Sequence, residues 1–180
     1  MLLRRLHLSD LPLLQSIGRA TYEPYYTRLW HEGGVEWYLH RCFNADILTR
    51  ELQDSNIEYY LAEDEAGRVA GLLKLVLHQL PPLTMKAVNI DLNAFQEALY
   101  LEKIYLMPDF FGKGVGQTLL SLVALKARAM GRKALWLQVM QSGPVAAYEK
   151  AGVRNVGESR YEFELLRTEE RGAWVMFKTL

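Results

Sequence analysis

The chain has 180 residues, half of them hydrophobic, which suits a single domain, 1–180, with a sizeable core. Its 21 basic and 21 acidic residues give a formal net charge of zero, which argues against a broad basic surface for nucleic acid. The single cysteine, Cys42, excludes an internal disulfide, and no segment resembles a signal peptide or a membrane span. We therefore expect a cytoplasmic protein with neither a nucleic-acid partner nor a membrane partner.

The first half of the chain predicts helices followed by a hairpin, from the period of its apolar residues and its turn residues. In chain order, the predicted elements are a strand at 2–8, a helix at 10–26 that runs into the aromatic loop TYEPYYTRLW, helices at 37–43 and 45–54, and strands at 57–64 and 69–80. Segment 81–98 has little periodicity and predicts a loop or an insertion.

The second half alternates strands with helices and then closes with a hairpin. Its predicted elements are strands at 99–107 and 133–140, helices at 114–131 and 142–152, and closing strands at 153–166 and 172–180. The alternation predicts a mixed α/β domain, in which a central sheet of six to seven strands carries helices on both faces.

A glycine-rich stretch, FFGKGVGQTLL, lies between the strand at 99–107 and the following helix. Gln117 stands where a phosphate-binding P-loop or a dinucleotide fingerprint requires glycine, so neither motif fits. Glycines at a helix N-terminus let an anion approach backbone N–H groups without a side-chain clash. The stretch therefore indicates either an anion-binding loop or a flexible strand-to-helix turn.

Two segments resemble motifs of the GNAT N-acetyltransferases. LEKIYLMPDFFGKGVGQTLL is similar to the family's acetyl-CoA-binding core, and VMQSGPVAAYEKAGVRNVG is similar to the motif that follows it. CFNADILTREL, YYLAEDEAGRVAGLLKL and the ending MFKTL are similar to PaiA-type polyamine acetyltransferases. The resemblance implies a GNAT-like fold and the use of acetyl-CoA as cosubstrate, with no metal, which agrees with the scattered histidines.

The resemblance also implies a set of cofactor-binding residues along these two motifs. The set is Ile104, Tyr105, Leu106, Phe111, Gly112, Lys113, Gly114, Val115, Gly116, Gln117, Gln141 and Tyr148. In the family, the strand that carries the first three separates from its neighbour, and its free amides meet the acetyl and pantetheine groups. The chain departs from the family at Phe111, where Arg or Gln is usual, and at Gln141, where Asn is usual.

Two side chains are candidate catalytic residues. Tyr148 corresponds to a family tyrosine near the coenzyme sulfur, and a phenol with a pKa of about 10 suits protonation of the leaving thiolate; an ordinary core aromatic is the alternative. Glu102 alternates with Ile104 and Leu106 on one predicted face, where partial burial would raise its pKa and make it a base for the amine. The alternative for Glu102 is pairing with a basic side chain in a structural network.

The aromatic loop supplies candidate substrate-binding residues: Tyr22, Glu23, Tyr26 and Trp30. Aromatic faces and a carboxylate suit a polycation such as spermidine. A loop that packs on its own aromatic rings is an equally good interpretation.

The sequence thus predicts an acetyl-CoA-dependent N-acetyltransferase that acts on a primary amine, a polyamine or another small amine, by direct attack in a ternary complex. Two alternatives remain open, a regulatory domain that binds acetyl-CoA with little turnover and a peptide or protein N-acetyltransferase. A homodimer is possible by analogy with the family.

Overall fold

The computed structural model describes residues 1–180 as eight strands and five helices. The strands are β1 (Leu2–Arg5), β2 (Ile57–Glu63), β3 (Val69–Val76), β4 (Lys86–Ala87), β5 (Ala98–Leu106), β6 (Ala134–Met140), β7 (Arg154–Arg160) and β8 (Gly172–Thr179). The helices are α1 (Leu11–Tyr26), α2 (Gly34–Phe43), α3 (Ala45–Gln53), α4 (Val115–Ala129) and α5 (Val145–Lys150). None of these helices has the length and apolar character needed to cross a membrane.

All eight strands belong to one mixed sheet, in the order β1-β2-β3-β5-β6-β8-β7-β4. Only β5 and β6 pair in parallel, and every other neighbouring pair is antiparallel. The predicted fold class is confirmed, with one strand more than expected. The extra strand is β4, which lies in segment 81–98 and pairs through Lys86 and Ala87 with β7.

Helices cover both faces of the sheet, and each face has its own core. On one face, α4 buries Leu119, Leu120, Val123 and Ala127, and α5 adds Tyr148. This helical spacing of apolar residues is the pattern from which α4 was predicted. On the other face, α1, α2 and α3 bury a second cluster. Asn44 caps the N-terminus of α3, since its side chain accepts a hydrogen bond from the Ile47 N–H at 2.8 Å.

Helix α1 continues through the segment that the sequence predicts as an aromatic loop. Pro24 lies inside the helix, where it removes one backbone hydrogen bond. The ring of Tyr22 stacks on Tyr26 at 4.5 Å and on Tyr38 of α2 at 4.3 Å between centroids. This packing outweighs the local effect of the proline. The predicted helix at 10–26 is therefore confirmed, and the loop assigned to TYEPYYTRLW is wrong for its first six residues.

The sheet opens between β5 and β6. Their ladder covers only three residue pairs and ends at Tyr100 and Trp136. Beyond that point β5 stays paired with β3 as far as Leu106, and β6 stays paired with β8 as far as Met140. The two strands therefore diverge, and a gap connects the two faces of the sheet.

We predict that Leu119→Ala lowers the free energy of unfolding by about 2–5 kcal/mol, because it leaves a cavity under the start of α4. Leu119 is fully buried, whereas Leu125 on the same helix is 60% exposed, so Leu125→Ala serves as the matched control. Urea denaturation checks both variants at an unchanged m-value. Equal losses for the two variants would contradict the assigned packing of α4.

Candidate active site

The glycine-rich loop joins β5 to α4 at the mouth of the gap. Gly112 and Gly114 have φ angles of 69° and 76°, a left-handed conformation that favours glycine. A Cβ at either position would meet no atom within 4 Å, so the outer side of the loop is open. The backbone conformation accounts for these two glycines, and the open side leaves their amides accessible.

A run of backbone N–H groups in this loop has no protein partner. The amides of Gly112, Lys113 and Gly114 donate no hydrogen bond, and the first amides that bond within α4 are those of Gln117 and Thr118, to the Gly114 carbonyl at 3.0 and 3.2 Å. The free donors lie at the positive end of a 15-residue helix. This arrangement fits a bound anion.

Gly116 has no structural reason to be glycine. It lies in the first turn of α4 and has no positive φ, and the nearest atom to a Cβ there would be Leu106 Cδ1 at 3.9 Å. Glycine inside a helix costs about 0.5–1 kcal/mol relative to alanine. A missing side chain at this position keeps the surface beside the free amides bare.

The side chain of Phe111 packs on α1 rather than beside the free amides. Its ring lies 4.0 Å from that of Tyr25, centroid to centroid. The position at which the resembled family has a polar residue therefore provides an apolar contact between the loop and α1. Lys113 is exposed and forms no ion pair.

The end of β5 directs backbone donors into the gap. The Met107 N–H donates to the Ala70 carbonyl of the β3 side at 2.9 Å. Because successive amides point to opposite edges of a strand, those of Ile104 and Leu106 face β6, where the ladder has ended. The strand separation that the family resemblance implies is therefore present.

Tyr148 projects from α5 with a buried ring. The residue is 9% exposed. Its hydroxyl oxygen keeps some contact with solvent and makes no hydrogen bond to the protein. Burial raises the pKa of Tyr148, and the neighbouring phenols of Tyr26 and Tyr161 add to the increase. The phenol of Tyr148 is therefore neutral and has an unused O–H donor.

Gln141 lies on the side of β6 away from the gap. Its N–H donates to the Gly172 carbonyl of β8 at 2.9 Å. Its side chain covers Gly172 so closely that a Cβ there would be 2.8 Å from the Gln141 Cδ. The predicted contact between this amide and a pantetheine arm is not supported by that placement.

The four predicted substrate residues fall into three groups. Tyr22 and Trp30 are 2% and 3% exposed, and the indole N–H of Trp30 donates to the Tyr22 hydroxyl at 3.0 Å, so both are core residues without a surface for a ligand. Glu23 pairs with Arg19 on the outer side of α1. Only Tyr26 borders the gap, where burial raises its pKa to about 12.

A β-bulge at Glu102 changes which residues share a face of β5. Lys103 pairs with Lys74 and Leu101 pairs with Leu75, which leaves Glu102 as the extra residue. Ile104 packs on the α4 side, and Glu102 and Lys103 both face α3. The prediction that Glu102 shares a face with Ile104 and Leu106 is wrong, because the bulge interrupts the alternation.

Glu102 belongs to a network of four charged side chains. It bonds Lys103 and lies 2.9 Å from the Lys74 ammonium, which also contacts Glu51 of α3 at 2.7 Å. Burial opposes ionisation of Glu102, but Lys103 and Lys74 outweigh it and lower its pKa to about 2. The expectation of a raised pKa is therefore wrong, and the network favours the structural alternative over the base.

This network forms one wall of a cavity of about 630 Å³ between the sheet and helices α2 and α3. Its lining includes Trp37, which is 37% exposed. The cavity size is in the range of small-molecule sites.

Sequence reasoning did not single out the two lysines of this network. Lys74 is 4% exposed and Lys103 is 6% exposed. A lysine inside the apolar run GLLKLVL was the available signal, since a buried ammonium requires partners. The partner Glu51 lies on a helix whose docking the sequence does not specify.

Comparison with known proteins agrees with this geometry. The profile of the acetyltransferase (GNAT) family matches residues 17–153, and the chain belongs to this family of N-acetyltransferases, which use acetyl-CoA. An uncharacterized N-acetyltransferase in the pepI 3′ region of Lactobacillus delbrueckii subsp. lactis is 26% identical over 132 residues, which are 73% of this chain and 70% of the relative.

Two solved structures share the fold at low identity. The PaiA N-acetyltransferase from Thermoplasma acidophilum, in complex with coenzyme A, superposes with a TM-score of 0.70 at 18% identity, over 99% of this chain and 98% of that one. A spermidine N-acetyltransferase SpeG chimera from Vibrio cholerae and hSSAT has a TM-score of 0.65 at 18% identity, over 99% and 96%.

We predict that Glu102→Gln lowers the free energy of unfolding at pH 7 by about 3 kcal/mol, because it removes the carboxylate that pairs with two buried lysines. The pKa of Glu102 is below its unfolded value, so its contribution is complete above about pH 4.3 and is lost as the pH falls toward about 2. The difference between wild type and variant should shrink over that interval in urea titrations. The exposed Glu149 supplies the control, Glu149→Gln, and a pH-independent difference for Glu102→Gln would refute the assignment.

Proposed function

We propose that the chain binds acetyl-CoA in the gap between β5 and β6 and transfers the acetyl group to a primary amine. The observation that carries the proposal is the combination of the gap with the unpartnered amides at the start of α4. A diphosphate fits these amides, and a thioester extended from them along β5 reaches the diverging strands. The alternative of a mere turn does not account for Gly116, which the fold does not need.

The main chain of β5 supplies the donors for the carbonyl oxygen. The N–H groups of Ile104 and Leu106 face the gap, where they lack a neighbouring strand. Fixed donors of this kind stabilise negative charge that develops on an oxygen during acyl transfer. Their positions are held by the pairing of β5 with β3, so no rearrangement is required.

Proton transfer completes the reaction. A charged amine first loses one proton to solvent. Its nitrogen then forms the new C–N bond as the C–S bond breaks, Tyr148 protonates the departing thiolate, a second amine proton restores the phenol of Tyr148, and the third proton stays on the amide nitrogen. Burial raises the pKa of Tyr148, which keeps the phenol protonated until the thiolate forms and also makes it a weaker acid. Glu102, with a pKa of about 2, holds the lysine network and is a weak proton acceptor.

The acceptor enters from the face of the sheet that carries α1, α2 and α3. The opposite face carries α4, whose first amides are proposed to bind the diphosphate, and α5. One of the two structures with the same fold is a spermidine N-acetyltransferase by name, and the other is a PaiA N-acetyltransferase. These names support a small amine as the acceptor class. A spermidine-like polyamine is one member of that class, and Tyr26 is the predicted aromatic residue that borders its path.

We predict that Gly116→Ala weakens coenzyme A binding at least about tenfold, because the added methyl group occupies the surface that the phosphates approach. The same substitution should leave the unliganded fold intact or slightly more stable, since the new Cβ meets only Leu106 at 3.9 Å. Isothermal titration with coenzyme A measures the first effect and urea denaturation the second.

Ser121→Ala, at an exposed position of the same helix, is the control for this experiment. It should change neither coenzyme A affinity nor stability appreciably. Unchanged affinity in Gly116→Ala would remove the diphosphate from the start of α4.

We predict that Tyr148→Phe lowers kcat about 10²- to 10³-fold while coenzyme A still binds, because only the acidic proton is lost. A thiol-release assay with acetyl-CoA and a panel of spermidine, spermine, aminoglycosides, amino acids and short peptides measures turnover. Tyr60→Phe, on β2 and far from the gap, should retain wild-type turnover.

The same assay separates an enzyme from a regulatory domain. A wild-type protein that binds acetyl-CoA but releases no thiol with any acceptor supports the regulatory alternative. Turnover that survives in Tyr148→Phe transfers the acid role to another group.

A further inference from the structure

The cavity beside the β5 bulge has no carboxylate free to bind a cation. Three basic and two acidic side chains line it: Arg41, Lys74, Lys103, Glu51 and Glu102. Glu51 accepts hydrogen bonds from Tyr59 and Lys74, and Glu102 accepts from both lysines. The lining therefore has an excess of positive charge, and its negative groups are already neutralised within the protein.

Lys103 retains donor capacity that the protein does not use. Its ammonium is 6% exposed and carries three N–H donors, of which Glu102 accepts one. A buried ammonium normally binds as many acceptors as it has donors, because unused donors lose their hydration. The remaining donors line the cavity, where an anionic group would satisfy them.

Arg41 is a second cation with unused donors, and it has no carboxylate partner. Its guanidinium lies over the rings of Trp37 and Phe163, at 5.5 and 5.6 Å from their centroids, and forms no ion pair or hydrogen bond with the protein. The two aromatic faces hold the side chain beside the cavity that it lines. A planar guanidinium with all its donors free is suited to bidentate binding of a carboxylate.

Lys103 lies beside the proposed site of acyl transfer. Lys103 is the neighbour of Ile104, whose amide faces the gap. If Lys103 holds a carboxylate of the acceptor, an amine a few bonds away in the same molecule would therefore lie close to the acyl carbonyl. Glu102 and Lys103 line the cavity, and they belong to the segment of β5 that borders the gap. An acceptor bound in the cavity would therefore lie next to the proposed site of acyl transfer.

We propose that the acceptor is an amine that also carries a carboxylate, as an amino acid does, and that Lys103 and Arg41 bind this carboxylate. The inference rests on the proposed acetyl transfer and names its acceptor class. The amine nitrogen forms the amide bond as the C–S bond breaks, and the carboxylate is unchanged. A polyamine lacks the anion that would satisfy these cations, and it would add positive charge to a cavity that already has an excess.

Matched acceptor pairs test the proposal, because each pair differs only in the carboxylate. Ornithine and putrescine, lysine and cadaverine, and phenylalanine and phenethylamine are compared by thiol release with acetyl-CoA. The expected result is a kcat/KM at least about tenfold higher for the carboxylate member of at least one pair. Equal or faster turnover of the decarboxylated member in every active pair overturns the proposal.

Substitution of the cations assigns the effect to this cavity. Lys103→Met should raise KM for the carboxylate acceptor at least about tenfold and change kcat/KM for the matched amine less than about threefold. Arg41→Gln, at an exposed position where folding is not at risk, should act in the same direction. Lys86→Met, on the exposed strand β4, is the control. Equal losses for both acceptor types would reduce Lys103 to a structural role.

Binding without turnover separates this proposal from the proposed function. The protein loaded with coenzyme A is titrated calorimetrically with the same acceptor pairs. Binding of a carboxylate member that Arg41→Gln or Lys103→Met weakens supports the subsite even if no thiol is released. If thiol is released only with amines and no carboxylate member binds, acetyl transfer stands and the carboxylate subsite is refuted.

Discussion

The separation of β5 from β6 is the constraint on which the rest of the site depends. Each strand keeps its outer partner, β3 or β8, to its end, so the sheet remains rigid on both sides of the gap. The inner edges lose their ladder after Tyr100 and Trp136, and backbone donors there lack a strand partner. Such an edge is costly in a buried sheet unless a ligand or water uses its donors. Helices α4 and α5 cover one face of the sheet beside this edge, and α1 to α3 cover the other.

The bulge at Glu102 places two charged side chains on the face of β5 that carries α3. An uninterrupted strand would direct Glu102 and Lys103 to opposite faces, whereas the extra residue turns both toward α3. Two adjacent charges on one buried face are stable only as a network, which Lys74 and Glu51 complete. The same pairing that stabilises the carboxylate lowers its pKa and so removes it as a strong base. Charge at this position therefore organises the cavity rather than accepting a proton.

The sequence predicted those features that depend on local patterns. The period of apolar residues located α4, and the hairpins and the glycine loop followed from turn residues and alternation. Features set by tertiary packing were missed. The bulge depends on register between β3 and β5, which alternation along one strand cannot show. The helix at 10–26 was predicted, but the ring packing that keeps Pro24 inside it, instead of in the loop also suggested for this segment, depends on Tyr38 and Tyr105, which lie outside α1. Burial of Tyr22 and Trp30 has the same origin, so aromatic composition alone overstated their availability.

Fold similarity constrains the two halves of the site unequally. In the proposed site, backbone amides of the glycine loop and of β5 form the acetyl-CoA half. These amides require only the shared chain path, which structures at 18% identity preserve. The proposed acceptor half consists of side chains on α2, α3 and the bulge, which can change without any change in the fold. The activities named for proteins of the same fold are therefore better evidence for the use of acetyl-CoA than for the identity of the amine. The charges of Lys103 and Arg41 belong to this chain itself, and electrostatic complementarity to them is the more direct guide to what enters the cavity.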